Sequence, residues 1–306
     1  MYSIELKQES IMLLSSTHRA EIYRYGGLLN CFEINKIDGN WWNVVDAFSS
    51  PADARANLIN GFHSAKLSPY ACRMRLGKYE FSGKSYHCSK HTLGKHAIHG
   101  LMYDANFVLE QSHHDEHQAW VIIRADYMRD DVGYPFNYQL KIKYLLDESG
   151  LSITTEAINT GKTALPIMDG WHPYFTLGGK VDDWTLQINS TQQLEFNSEL
   201  LPTGKLLSDE RFQAAYSLKN VQLDNSFVLK NHEVASCVLQ NQALKFSIFA
   251  ESSYPYLQVY IPPERDSIAI ENLSAAPDSF NNKMGLVVLE SGEIQVFSTR
   301  YVLQNQ

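Results

Sequence analysis

The stretches YQLKIKYLL (Tyr138–Leu146) and LSITTEAIN (Leu151–Asn159) decide the fold class of this chain. Apolar and polar residues alternate in both, and a period of two places alternate side chains on the same face of a strand. The residues between them, DESG (147–150), are typical of a turn. The sequence therefore predicts an antiparallel hairpin with one buried face.

Short strand-like stretches continue on both sides of this hairpin. Turn signals separate them, among them Gly26-Gly27, Asp38-Gly39 and Ser82-Gly83. Helix-compatible windows are few, and Pro51–Leu58 is one of them. The other candidate strands are Ala20–Tyr25, Leu28–Ile34, Asn106–Gln111, Gln118–Tyr127, Thr185–Asn189, Ser226–Leu229, Ala235–Leu239, Leu244–Ala250, Leu257–Ile261, Ile268–Ile270, Met284–Leu289 and Ile294–Ser298. We predict an all-β fold, a large antiparallel β-sandwich with few short helices.

Composition limits the kinds of partner. The chain has 306 residues, of which 44% are hydrophobic and 20% charged, so it can bury a substantial core. No linker rich in Pro, Gly or Ser interrupts it, and we expect a single domain over residues 1–306. The formal net charge of −8 argues against nucleic acid or an anionic membrane surface as the main partner.

The N-terminus and the cysteines indicate a cellular compartment. The first ten residues, MYSIELKQES, contain three charged side chains and no apolar signal region. No apolar run approaches the roughly 18 residues that a membrane span needs. The four cysteines are scattered, without a CxxC pair, so we expect free thiols in a reducing compartment. The expected location is cytoplasmic.

The hexapeptide GWHPYF (170–175) is the clearest candidate for a functional segment. Pro173 favours an extended backbone at His172. In a strand, alternation would place His172 and Tyr174 on one face and Trp171 on the other. The imidazole could then face a groove, and the alternative is a partly buried histidine with an ordinary structural hydrogen bond.

Two histidine-rich segments invite a metal-site interpretation. In HTLGKHAIHG (91–100), His96 and His99 have a spacing that suits a metal on a helix, but the glycines favour a loop. HHDEH (113–117) lies between two candidate strands, where a solvated hairpin turn is the simpler interpretation. We therefore predict neither a metal site nor an organic cofactor.

Arg73 and Arg75 stand two residues apart in SPYACRMRLG (68–77). In a strand they would share a face. One or both could equally be ordinary solvated residues.

Several separated segments resemble the aldose 1-epimerase (galactose mutarotase-like) family. The similarity runs in order over about residues 10–303, essentially the whole chain. The segments are SPYACRM (68–74) with Gly77, HAIHG (96–100), GYPFNY (133–138), WHPYF (171–175), LPTG (201–204), LDNSF (223–227), IAIEN (268–272), PDSFN (277–281) and GE (292–293). The resemblance implies a large antiparallel β-sandwich, the galactose mutarotase-like supersandwich, with a substrate cleft on one sheet.

The same resemblance implies roles for individual residues. Glu271 would be the general base, His172 the general acid, and His99 a second imidazole near the ring oxygen of the sugar. Arg73 and Asp224 would bind sugar hydroxyls. From unperturbed values, a glutamate is ionised near neutral pH and a histidine titrates there.

Further substrate-binding positions implied by the resemblance are His96, Tyr174 and Trp171, with the aromatic rings covering either an apolar sugar face or the core beneath it. Two residues depart from the family pattern. Cys72 stands where the family usually has Asn beside the arginine, and His96 stands where the loop often has Asn. Both departures concern the choice of substrate more than the chemistry.

The activity implied is interconversion of the α and β anomers of a hexose such as galactose or glucose by acid–base ring opening, which would make the protein an isomerase. One alternative is a hexose-6-phosphate 1-epimerase, with either Arg73 together with Arg75, or Lys95, binding the phosphate. Another is a carbohydrate-binding protein without turnover on the same fold. The expected partner is a small-molecule sugar, and the expected assembly is a monomer or a homodimer.

Overall fold

The computed structural model describes residues 1–230 and 232–306. Within these residues most of the regular structure is β-strand, with two short α-helices, α1 (Pro51–Asn57) and α2 (Ser279–Asn282), and 3-10 turns at Arg75–Gly77 and Val181–Asp183. The strands in chain order are β1 (Ser3–Leu6), β2 (Ser10–Leu14), β3 (His18–Tyr23), β4 (Leu29–Asn35), β5 (Trp41–Asn43), β6 (Ala65–Leu67), β7 (Arg73–Met74), β8 (Lys78–Phe81), β9 (Lys84–His87), β10 (Thr92–Leu93), β11 (His96–Ile98), β12 (Val108–His114), β13 (Gln118–Met128), β14 (Asn137–Asp147), β15 (Gly150–Asn159), β16 (Leu165–Ile167), β17 (Gly170–His172), β18 (Tyr174–Phe175), β19 (Thr185–Ile188), β20 (Gln192–Phe196), β21 (Pro202–Ser208), β22 (Tyr216–Ser217), β23 (Asp224–Val228), β24 (Cys237–Gln240), β25 (Leu244–Ala250), β26 (Tyr256–Tyr260), β27 (Ile268–Leu273), β28 (Val287–Leu289) and β29 (Ile294–Asn305).

Two large antiparallel sheets form the body of the fold. One has nine strands in the order β12-β13-β14-β15-β29-β25-β24-β19-β22. The other has eight, in the order β21-β20-β23-β26-β27-β17-β6, with β18 also paired to β27. A five-stranded N-terminal sheet runs β1 to β5 in sequence, and β10, β11 and β7 form a small three-stranded sheet.

The two large sheets pack face to face through aromatic side chains. The Phe175 ring of β18 lies 4.4 Å from the Phe246 ring of β25 and 5.6 Å from the Tyr301 ring of β29. Trp171 of β17 contacts Tyr144 of β14, with ring centroids 6.3 Å apart. The contacts join the eight-stranded to the nine-stranded sheet, and the predicted all-β antiparallel sandwich is confirmed.

The central hairpin is also confirmed, as β14 and β15. Alternate side chains of β14, among them Leu140, Ile142 and Tyr144, are fully buried. Alternation predicted this hairpin well because one of its faces lies against the core.

The helix-compatible window forms α1. The Ser50 hydroxyl caps this helix by accepting a hydrogen bond from the Asp53 backbone N–H at 3.1 Å, and Pro51 occupies the first helical turn. Both are common helix-start features. No helix in the described part of the chain is both long and apolar enough to cross a membrane.

The expectation that Arg73 and Arg75 share a strand face is wrong. Strand β7 ends at Met74, and Arg75 begins a 3-10 turn in which Leu76 has a left-handed φ of 54°. The Arg75 backbone N–H donates to Asp278 Oδ1 at 2.9 Å, and its side chain is exposed. The change of backbone direction after Met74 separates the two guanidinium groups.

A fully buried ion pair joins β6 to Asp169, the residue just before β17 and the hexapeptide. Lys66 Nζ of β6 is 2.5 Å from Asp169 Oδ1, and neither side chain is exposed to solvent. The Tyr254 hydroxyl donates to the same carboxylate oxygen at 2.7 Å. Lys66 Nζ also lies 4.2 Å from the centre of the Trp171 ring. Burial lowers the pKa of Lys66 to about 8.

Removing one member of this pair should strongly destabilise the protein. In Lys66→Met the Asp169 carboxyl stays buried without its cation, so we expect a loss of about 3–5 kcal/mol in the free energy of unfolding. Urea denaturation followed by tryptophan fluorescence would measure it. Lys180→Met, which breaks an exposed pair with Asp266, is the control and should cost about 1 kcal/mol or less. Equal losses in the two variants would contradict the expectation.

Candidate active site

Strand β27 brings together two residues that are far apart in sequence. Tyr174 of β18 pairs with Ala269 of β27. Gly170 of β17 pairs with Leu273 of β27 in the same register. His172 lies midway between Gly170 and Tyr174 and is therefore opposite Glu271. Directly opposed residues of an antiparallel pair share one face of the sheet. His172 Nε2 and Glu271 Oε1 are 3.5 Å apart, and both side chains are buried.

The next strands extend this arrangement across the sheet. Gln258 of β26 lies opposite Glu271, and Asp224 of β23 lies opposite Tyr260. The Gln258 amide nitrogen donates to Asp224 Oδ1 at 2.7 Å, while its carbonyl oxygen accepts from the Ser226 hydroxyl. Gln258 therefore orients the Asp224 carboxylate from the middle of the row.

A cavity of about 350 Å³ lies over this face of the eight-stranded sheet. Its floor is polar, formed by residues of β17, β18, β23, β26 and β27. Its other walls come from the small sheet and from loops, through Phe62, Cys72, Arg73, His91, Ile98 and His99 together with apolar residues nearer the mouth. Of the residues predicted for the site, Glu271, His172, His99, Arg73, Asp224 and Tyr174 all line this cavity.

Burial shifts the opposed pair in opposite directions. It raises the pKa of Glu271 well above its usual range, and the nearby Asp224 charge acts in the same sense. Burial also lowers the pKa of His172 to about 3, with a further contribution from His63. Burial therefore disfavours both the ionised form of Glu271 and the charged form of His172. The expectation drawn from unperturbed values, an ionised glutamate and a titrating histidine, does not hold here.

His99 completes the cluster from the opposite wall. It follows β11 with a left-handed φ of 63°, and its ring meets the His172 ring edge-on at 4.7 Å. Burial, followed by the His172 charge, lowers the pKa of His99 well below its usual range. Three buried atoms in this cluster have no hydrogen-bond partner in the described chain, namely Glu271 Oε2, His172 Nδ1 and His99 Nδ1.

Comparison with known proteins identifies the family of this chain. The profile of the aldose 1-epimerase family matches residues 10–302. The chain belongs to the aldose 1-epimerase family. A relative in Escherichia coli K12, Uncharacterized protein YihR, is 28% identical over 237 residues, 74% of each chain. An aldose 1-epimerase of Streptococcus thermophilus is 28% identical over 189 residues, 60% of this chain and 53% of its own length.

Solved structures of the same fold cover the whole chain. A galactose mutarotase-like protein from Clostridium acetobutylicum superposes with a TM-score of 0.86 at 16% identity, covering 100% of this chain and 99% of its own. Galactose 1-epimerase from Lactobacillus acidophilus gives a TM-score of 0.83 at 18% identity, with coverage of 100% and 98%. These similarities establish the galactose mutarotase-like fold.

Arg73 enters the aldose 1-epimerase cavity from β7, where it is opposite Ile98. It is half-buried, and within the described residues no carboxylate lies within ion-pair distance of it. Its charge nevertheless lowers the pKa of Glu271 and of Asp224, opposing the larger effect of burial on both. Its guanidinium donors are available to a ligand.

Trp171 does not line the cavity. Alternation sends its side chain to the other face of β17, into the core between the sheets, where it is 2% exposed and lies over Lys66. Of the two possibilities that the sequence left open for this ring, the structure places it in the core beneath the site. Tyr174, two residues from the His172 position, does face the cavity.

His96 is not a lining residue either. Its Nδ1 accepts a hydrogen bond from the Leu76 backbone N–H at 3.1 Å, and its Nε2 is 3.8 Å from Glu199 Oε2. Glu199 also forms an ion pair with Lys95. Both ring nitrogens therefore face neighbouring protein segments, and the position of His96 corrects the expectation that it faces the sugar.

Cys72, the other departure from the family pattern, does line the cavity. It is buried, with a left-handed φ of 54°. Burial raises the pKa of its thiol well above the usual range, with further contributions from Glu271 and Asp224. At this wall the cavity presents a neutral thiol, a weak hydrogen-bond donor.

Sequence reasoning missed Gln258, Phe62 and His91, which also line the cavity. For Gln258 a signal existed, since it is the one polar residue between apolar neighbours in YLQVY (256–260). Phe62 and His91 lie in loops, where no periodic pattern marks the buried positions.

The HHDEH segment forms the predicted turn between β12 and β13. Asp115 Oδ1 accepts from the backbone N–H groups of His117 at 2.7 Å and Gln118 at 3.0 Å. His113 Nε2 lies 3.0 Å from Asp115 Oδ2. In the described parts of the chain, no set of three metal-ligating side chains is placed to hold an ion.

The burial of His172 should make the protein sensitive to acid. Because its pKa is lowered from about 6.5 to about 3, the unfolded chain binds a proton that the folded chain does not, and stability falls as pH drops below about 6.5. At 1.36 kcal/mol per pH unit, His172 costs about 2 kcal/mol between pH 6.5 and 5.

His172→Asn should therefore lose about 2 kcal/mol less than the wild type over that interval, as measured by urea denaturation at several pH values. The exposed His114→Asn variant is the control and should follow the wild type. A His172→Asn curve parallel to the wild type would contradict the assignment.

Proposed function

We propose that this protein is an aldose 1-epimerase that interconverts the α and β anomers of a free hexose such as galactose or glucose. The observation that carries the proposal is the pair formed by His172 and Glu271, buried side by side with 3.5 Å between Nε2 and Oε1. Two such groups can each contact one of the two oxygens bonded to C1 of a pyranose.

The pair supplies what anomer exchange requires. Ring opening removes a proton from the C1 hydroxyl and delivers one to the ring oxygen, so that the C1–ring oxygen bond breaks and an open-chain aldehyde forms. Rotation about C1–C2 and closure on the other face of the carbonyl complete the exchange. Each positioned acid or base typically contributes 10²–10⁴-fold.

We assign Glu271 as the base towards the C1 hydroxyl and His172 as the acid towards the ring oxygen. Burial opposes this arrangement, because it raises the pKa of Glu271 and lowers that of His172. Arg73 favours the arrangement because its positive charge stabilises the Glu271 carboxylate. His99 lies against the His172 ring and would contact the ring-oxygen side of the sugar.

Arg73 and Asp224 would hold the hydroxyls of the sugar. The guanidinium offers donors and the carboxylate offers acceptors, and charge-assisted hydrogen bonds of this kind are stronger than neutral ones. Gln258 keeps Asp224 in place through its 2.7 Å hydrogen bond. Tyr174 contributes an aromatic edge next to the reacting pair.

Removing either member of the pair should abolish catalysis. Glu271→Gln and His172→Asn should each lower kcat for anomer exchange of galactose by at least 100-fold, because each removes one proton-transfer group. Exchange NMR between the two anomeric C1 signals would measure the rate. The control variant His114→Asn makes the same substitution at an exposed position at the end of β12 and should keep full activity.

Thermal unfolding would verify that the variants are folded. Full activity of either Glu271→Gln or His172→Asn would contradict the proposed mechanism. A wild-type protein that binds sugars but exchanges no anomers would instead support the carbohydrate-binding alternative.

We favour an unphosphorylated sugar over a hexose 6-phosphate because two of the three candidate phosphate ligands, Arg75 and Lys95, lie away from the cavity. Arg75 is exposed beyond the end of β7, and Lys95 is paired with Glu199. In the described parts of the chain, Arg73 is the one lysine or arginine on the cavity wall, and Asp224 and Glu271 line the same cavity. A dianionic phosphate would find a single cation there, and the Asp224 carboxylate on the same wall already balances it.

Glucose 6-phosphate should accordingly be the poorer substrate. We expect its kcat/KM to be at least tenfold below that of glucose, measured by exchange NMR at equal ionic strength. Xylose, which lacks the C6 group altogether, is a suitable control because it separates a charge effect from a size effect. A preference for the phosphorylated sugar would reverse our choice of substrate.

A further inference from the structure

The imidazole of His63 lies behind the cavity wall, next to Tyr174. The His63 ring stacks on the Tyr174 ring with centroids 4.0 Å apart and an interplanar angle of 17°. Tyr174 in turn contacts the His172 ring at 5.3 Å. Tyr174 and His172 line the cavity, whereas His63 does not. The tyrosine ring thus lies in contact with both imidazoles.

Hydrogen bonds hold His63 in this position. His63 Nδ1 donates to the backbone carbonyl of Asp46 at 2.8 Å, since a carbonyl can only accept. The Asp46 backbone N–H donates to the carbonyl of Tyr174 at 2.9 Å. The next residue in the chain, Ser64, donates its backbone N–H to the carbonyl of His172 at 2.9 Å. Residues 63 and 64 are therefore bound to both cavity residues through ring stacking and backbone contacts.

The backbone around His63 has an unusual shape. Phe62 and Ser64, on either side of it, have left-handed φ values of 56° and 57°. Left-handed backbone costs free energy in residues other than glycine. This conformation sends the Phe62 side chain into the cavity wall while the His63 ring stacks behind Tyr174. Residues 62–64 thus contact the reacting cluster from two sides.

His63 is also open to solvent, with 26% of its side chain exposed. The titratable groups that face His63 are the Asp46 carboxylate, 3.9 Å away, and the Tyr174 and His172 rings. The charge of His63 is one of the causes that lower the pKa of His172, so the two imidazoles are coupled electrostatically.

We propose that His63 is a positioning residue for the reaction: it holds Tyr174 and His172 in their reactive orientation. The inference rests on the proposed anomer exchange. It adds a residue outside the cavity to the set that the reaction depends on.

Two substitutions of His63 separate the effect of its ring from the effect of its charge. His63→Ala removes the ring and the charge together, and it should lower kcat for galactose about tenfold. KM should change less than threefold, because His63 does not touch the sugar. His63→Phe keeps a stacked ring but cannot be charged. It should recover kcat at pH 7 to within about threefold of the wild type, because the ring that supports Tyr174 is kept.

His18→Ala is the matched control. The His18 ring also stacks on an aromatic ring, that of Phe32 at 5.8 Å, and its Nε2 also lies 2.9 Å from a backbone carbonyl, that of Leu303. Losing it should leave kcat unchanged, so an equal effect of the two alanine variants would show only general loosening of the fold.

A readout without turnover distinguishes this inference from the proposed function. In protein labelled with ¹³C-histidine, the His172 ring signal should titrate at higher pH in His63→Phe than in the wild type, whether or not the protein exchanges anomers. If no sugar is turned over but this shift occurs, only the proposed function fails. Unchanged kcat in His63→Ala, or an unchanged His172 titration in His63→Phe, overturns the inference; should the alanine variant not fold, the phenylalanine variant decides.

Discussion

The pairing of β27 with β17 and β18 is the constraint on which the site depends. Pro173 lies in the middle of that pairing and has no backbone N–H to donate, yet its carbonyl accepts from the Ile270 N–H at 3.2 Å and keeps the two strands in register. In this register His172 faces Glu271. A slip by one residue would move one of the two side chains to the opposite face of the sheet. Pairing of β26 on the other side of β27 then adds Gln258 to the same row.

The site contains polar atoms that no protein group satisfies. Buried atoms such as Glu271 Oε2 and His172 Nδ1 cost about 1–3 kcal/mol each where no other group bonds them. The aromatic packing between the two sheets supplies the stability that offsets this loss. Unsatisfied atoms of this kind are expected where a ligand with hydroxyl groups completes the hydrogen bonds, and a core position would not retain them. The same burial that destabilises the cluster also displaces the pKa values of the pair.

Strand positions followed from the sequence because they depend on local alternation. The central hairpin, most of the later strands and the opposite directions of Trp171 and His172 all express a period of two. The pairing of His172 with Glu271 could not be derived in this way, since register between distant strands is a property of the whole sheet; the family resemblance connected these residues. His96 was misplaced for a related reason, because its hydrogen bond to the Leu76 N–H forms only once β7 bends into the 3-10 turn. Gln258 was missed because a polar residue in an apolar strand carries no indication of which partner it meets.

Opposite pKa shifts suit a reaction that runs in both directions. Anomer exchange opens the ring and closes it again, so the group that releases a proton in one step must recover it in the next. A carboxylate and an imidazole in water differ in proton affinity, and the imidazole binds the proton more tightly. Burial raises the affinity of Glu271 and lowers that of His172, while Arg73 opposes the change at Glu271. In the proposed exchange, the proton that His172 gives to the ring oxygen on opening would return to it on closure, while Glu271 takes and returns the proton of the C1 hydroxyl, so the pair is restored after each cycle.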